Sequence, residues 1–112
     1  MPAAYTNLYV EQGTTFSTTI TLDDAYGAAY NLYGFTANSQ IRKSYYSSNA
    51  TAIFSTTIDV GDGTITLSLD APTTANIRPG RYVYDATITD SIEQTKTRIV
   101  EGIVDVTPSV SR

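Results

Sequence analysis

The sequence predicts an all-β domain, a sandwich of about seven short antiparallel strands. Three observations carry that prediction. Apolar and polar residues alternate through segment after segment, which is the period of a half-buried strand. Thr, Ser and Tyr fill the polar positions, while charged residues make up only 16% of the chain, against about a quarter in typical domains. Turns rich in Asp and Gly separate the segments at short intervals.

In chain order, "NLYVEQ" reads as the first strand. "TTFSTTITL" follows, with Phe16, Thr18, Ile20 and Leu22 on one face and mainly threonines on the other. "FTANSQIRK" turns Phe35, Ala37, Ser39 and Ile41 one way, and Asn38, Gln40 and Arg42 the other. "TAIFSTTI", residues 51 to 58, reads as one less regular strand. "GTITLSL" sets Ile65, Leu67 and Leu69 against Thr64, Thr66 and Ser68. "RYVYDATI" places Tyr82, Tyr84, Ala86 and Ile88 inward and leaves Arg81, Asp85 and Thr87 for solvent. The last, "TKTRIVEGIVDVTP", carries Gly102 in its middle, which predicts a bulge there. The expected core is sealed by Phe16, Ile20, Phe35, Ile41, Leu67 and Tyr82. Tyr33 is expected to cover one end of it.

"DDAYG" and "DVGDG" supply turn residues: Gly tolerates positive φ, and Asp bonds to nearby backbone. In "DAPTTANIRPG", Pro72 suits a first helical turn and Pro79-Gly80 ends it, so one short helical turn is expected near residues 72–77. That turn followed by "PGRYVYD" resembles the corner before the sixth strand of immunoglobulin-like domains. The resemblance makes Tyr82 the corner tyrosine, its hydroxyl bonding back to nearby backbone. Tyr84 stands where antibody domains carry a cysteine. This chain has neither Cys nor Trp, so the likeness is to the sandwich and not to antibody domains.

The 112 residues fit a single domain, 1–112, with short extended arms at 1–6 and 107–112. A chain of this length buries roughly 65% of its unfolded surface. With net charge −4 and its cations scattered, nucleic acid is not expected as a partner. No apolar run is long enough for a membrane span. "MPAAYTNLYVEQ" shows no basic-then-apolar leader. Asn49-Ala50-Thr51 matches the glycosylation pattern, whose use needs a secretory route.

Histidine and cysteine are both missing. That removes Ser-His-Asp and Cys-His machinery and the usual zinc ligand sets. The nearest carboxylate pairs are Asp23-Asp24, Asp59 with Asp62, and Glu101 with Asp105. A glycosidase needs two carboxylates facing across a cleft, and turn formation explains the first two pairs better. Asp59 and Asp62 offer few of the 6 to 8 oxygens a calcium ion takes. No enzyme activity, catalytic residue, metal site or cofactor is expected.

From about Leu8 onward, "YVEQGTTFSTTITL", "NLYGFTANSQIRKSYYSS", "GTITLSL", "PGRYVYDATITD" and "RIVEGIVDVTPSVSR" together resemble small immunoglobulin-like modules of tailed-bacteriophage virion proteins. The likeness is to cyanophage-type modules, and more distantly to the N-terminal domain of phage baseplate upper proteins. It implies a structural role in the virion, a protein made in the host bacterial cytoplasm, and other virion proteins or copies of itself as partners.

The surface expected to bind is "IRKSYYSSNA": Arg42, Lys43, Tyr45 and Tyr46, with Tyr26 and Tyr30 of "AYGAAYNLYG" as a second group. Tyr and Arg are enriched at interfaces, Tyr for area at low entropic cost and Arg for its forked donors. The bland alternative is a solvated loop with one tyrosine on the rim. Strand edges and chain ends are a further route. Three roles remain: a subunit-binding component of tail, baseplate or neck, a capsid-decorating cement protein, and a module attaching to a host glycan.

Overall fold

A computed structural model describes residues 4–22 and 31–110. Its strands are β1 (Ala4–Tyr5), β2 (Leu8–Glu11), β3 (Phe16–Thr21), β4 (Phe35–Arg42), β5 (Ala52–Ile53), β6 (Ser55–Asp59), β7 (Thr64–Leu69), β8 (Gly80–Asp90) and β9 (Lys96–Thr107). One helical turn, α1 (Ala71–Ala75), interrupts them. The large sheet runs β1-β9-β8-β4-β5, with β2 also on β9; the small sheet runs β3-β7-β6. The two sheets face one another as an immunoglobulin-like sandwich.

Alternation sets the burial. In β7 every second residue (Ile65, Leu67, Leu69) is buried, and in β8 so are Tyr82, Tyr84, Ala86 and Ile88. Ile41, Leu67 and Tyr82 are buried as the pattern requires, while Phe16, Ile20 and Phe35 are partly buried against the core. The helical turn also falls where the sequence puts it. Asp70 caps it by accepting the Thr73 N–H at 2.9 Å, and those Thr73 bonds hold its carboxyl below the usual range.

Three local expectations need correction. "TAIFSTTI" is two strands, because the chain crosses between sheets at Phe54. Its N–H donates to Ser39 O at 2.9 Å in the large sheet, and the next residue starts the small one. Tyr33 does not cover the core: it is 74% exposed and Leu32 is buried instead. Phe35 N–H closes a turn on Leu32 O at 3.0 Å, with Gly34 at φ +79°, so Tyr33 sits on the corner. The bulge in β9 lies at Ile99, not Gly102: the register passes from Ala86–Val100 to Thr87–Arg98.

Gly102 has a different task. β1 and β2 both run parallel to β9 in one register, Ala4 opposite Val100 and Leu8 opposite Val104. Between them Thr6 N–H donates to Glu101 O at 2.9 Å, and a Cβ on Gly102 would fall within the Thr6 carbonyl, 2.8 Å from its carbon. The expected antiparallel pattern therefore fails at the N-terminal strands. Of the expected arms, residues 1–3 and 111–112 lie outside the described residues. Residues 4–6 are a bound edge, and Gln12 N–H donates to Thr107 O at 2.9 Å while its side chain accepts from Ser109 N–H.

The Tyr84 hydroxyl donates to Thr6 O at 2.7 Å. Burial, and secondarily nearby Tyr5, pushes its pKa up from 10.0 to about 12. The folded state thus holds the proton more tightly than the unfolded chain. Its contribution is complete below pH 10 and is lost as pH rises through about 12. Urea unfolding as a function of pH should show this alkaline loss in the wild type, and Tyr84→Phe should remove that component of it.

Candidate functional site

The stretch "IRKSYYSSNA" leaves β4 and turns at once. Ser47 N–H donates to Ser44 O at 3.2 Å, closing a turn with Tyr45 and Tyr46 at its two corners. Corner side chains point away from the body. Tyr46 is 97% exposed and Tyr45 56%.

The turn is braced from its own flanks. Arg42 donates to Ser47 O and to Gln40 Oε1, both at 2.8 Å. Ser44 N–H donates to the Ser47 hydroxyl at 3.1 Å. The Lys43 ammonium stands 4.9 Å from the centre of the Tyr82 ring, a cation–π contact. The Tyr82 hydroxyl in turn donates to Arg78 O at 2.7 Å, the corner bond read from the sequence. The cations hold the loop; the tyrosines are what it presents.

Tyr26 and Tyr30 lie outside the described residues, as do Asp23 and Asp24. Asp59 accepts the Asp62 N–H at 3.1 Å, a turn contact. Glu101 and Asp105 each meet an arginine instead of each other, Arg98 at 3.4 Å and Arg81 at 3.2 Å.

Beside the turn lies a feature that the sequence reading missed. The outer face of the large sheet carries an open groove of about 580 Å³, lined by Asn38, Gln40, Arg42, Asp85, Lys96 and Arg98, among others. Tyr45 lines its continuation at the Arg42 end. The pairing of β4 with β8 builds it, setting Gln40 opposite Asp85 and Asn38 opposite Thr87. Arg42 sits opposite Val83, and Lys96 opposite Thr89, so the groove spans about 20 Å of strand. Arg98 meets Asp85 at 3.2 Å. Arg98 is held by Asp85 and by Glu101, which leaves Arg42 and Lys96 to give the groove a small positive excess on a chain of net charge −4. The solvent-facing rows of both strands were legible; their adjacency was not, because it depends on register between distant segments.

No family model and no curated protein matches the chain. Among solved structures, 146 chains match. One is InlP of Listeria monocytogenes, with a TM-score of 0.51 and 16% identity. That match covers 91% of this chain and 26% of InlP, so the chain spans about a quarter of InlP's length. At this identity the likeness shows the sandwich fold and no more, and sandwiches host many unrelated functions.

Proposed function

We propose that this chain is a non-enzymatic structural protein of a bacteriophage virion that binds neighbouring subunits through the Tyr45–Tyr46 turn and the adjoining groove. The observation that carries the binding surface is the braced turn. Two exposed phenol rings are held on a loop whose backbone is already fixed by Arg42, Ser44 and Ser47, so little ordering entropy opposes docking. The positive groove favours a partner surface bearing carboxylates. The virion setting is supported by the sequence resemblance alone, as is assembly in a host bacterium. Tail, baseplate or neck is the leading location; copy number per particle separates it from capsid decoration.

The test is incorporation into particles. Tyr45→Ala with Tyr46→Ala removes only exposed rings, so the protein should fold normally, yet its occupancy in purified particles should fall by about thirtyfold, as for loss of an interface hot spot of about 2 kcal/mol. Normal incorporation of the double variant would overturn the reading. The groove also favours a second reading, a host glycan bound by Asn38, Gln40 and Asp85 with Tyr45 stacked on a sugar ring. Glycan-array binding that the same double variant loses, with particle occupancy intact, selects that reading instead.

A further inference from the structure

We propose that β3 is a self-pairing edge, along which two copies of this chain join their small sheets into one continuous antiparallel sheet. This is independent of the Tyr45–Tyr46 turn.

Among the described residues β3 pairs only with β7, and its other side is open. Leu22 N–H donates to Gly63 O at 2.9 Å, which fixes the phase of the ladder. Phe16, Thr18 and Ile20 turn their backbone groups towards β7. Ser17, Thr19 and Thr21 therefore turn theirs outward.

The other sheet edges carry protection of the kinds that prevent unwanted pairing. β5 has two residues, β1 and β2 are interrupted at Thr6–Asn7, and β6 ends on Asp59. β3 has none of these devices. From Gln12 to Leu22 the chain has no charged residue and no proline, although its net charge is −4. A mostly apolar opening of about 150 Å³ runs beside β3, lined by Thr18, Ile20, Ala4, Leu8 and Val100, among others.

A second copy fits this edge in one register. With a two-fold axis at Thr19, Thr19 faces its own equivalent and Ser17 faces Thr21 of the second copy. Each pair exchanges two hydrogen bonds, so every outward group of β3 is satisfied. On the inner face the same register sets Phe16 against Leu22 and Thr18 against Ile20 of the second copy. That extends the apolar row along the opening between the sheets. No like charges meet.

Light scattering on a sizing column across a concentration series tests this. The wild type should be a dimer at the higher concentrations. Thr19→Pro deletes an outward N–H without touching the backbone ladder to β7, and should run as a monomer that still unfolds cooperatively. Thr19→Lys keeps the N–H but sets two cations opposite one another at the axis, raising the dimer Kd by at least about tenfold and less at high salt. A wild type that stays monomeric throughout overturns the proposal. So does a dimer that survives both substitutions.

Discussion

Gly102→Ala should destabilise the protein by about 3–5 kcal/mol, a large fraction of a typical domain's stability. The cause is position. A methyl at residue 102 would occupy the Thr6 carbonyl group, which is backbone and has no rotamer to escape into. Overpacking at such a site costs about 1–3 kcal/mol. Relief by lifting Thr6 would break its N–H bond to Glu101 O and strand the Tyr84 hydroxyl, at about 1 kcal/mol for each bond. Urea unfolding gives the loss directly. Phenolate titration gives its mechanism: with Thr6 displaced, Tyr84 becomes wetter and should ionise below the pH of about 12 that burial imposes. An alanine variant as stable as the wild type would mean that the N-terminal strands do not lie against β9 at this point.

The same glycine shows where the sequence could be read and where it could not. A glycine inside a long apolar run announces a local need for space, and that much was legible. Whether the need is a bulge or a neighbouring backbone depends on what lies opposite, and Thr6 is far away in sequence. Tyr33 failed for a more local reason. Alternation alone cannot tell which of Leu32 and Tyr33 faces inward, because the Leu32–Phe35 turn, with Gly34 in it, breaks the period before β4. Tyr82 and Tyr84 were legible because a helical turn and a strand start fix them within a dozen residues. Tyr45 and Tyr46 stood out by composition, but the bracing role of Arg42 and Lys43 did not. Both cations were expected to reach outward, yet one finds acceptors in its own turn and the other a ring at the corner. Lys96 and Arg98 join Arg42 only through two strand registers, which no single segment encodes.

Phe54→Ala should cost about 3–5 kcal/mol, comparable to the glycine substitution but by the opposite physics, a void instead of a clash. Phe54 is 3% exposed. Its ring centre lies 6.0 Å from that of Phe16 in the small sheet, and 6.2 Å from that of Tyr84 in the large one, edge-on to the latter. It fills the space between the layers at the point where the chain changes sheet, so no neighbouring side chain can close the gap without moving a strand. Ile53→Ala, one residue earlier, removes a side chain that is 61% exposed and should change stability by at most about 0.5 kcal/mol. Phe54→Leu keeps most of the volume and should cost about 1.5 kcal/mol or less. Thermal or urea unfolding of the three variants orders them, and equal costs for Phe54→Ala and Ile53→Ala would mean that the two sheets do not pack through this ring. The Tyr45–Tyr46 turn is braced within residues 40–47 and at Tyr82, away from the Phe16–Phe54 contact. Under the proposed virion role, folded Phe54→Ala protein should therefore enter particles as the wild type does. The double tyrosine variant should do the reverse, losing occupancy at unchanged stability, so that the layer which holds the fold and the loop proposed to bind separate in a single pair of measurements.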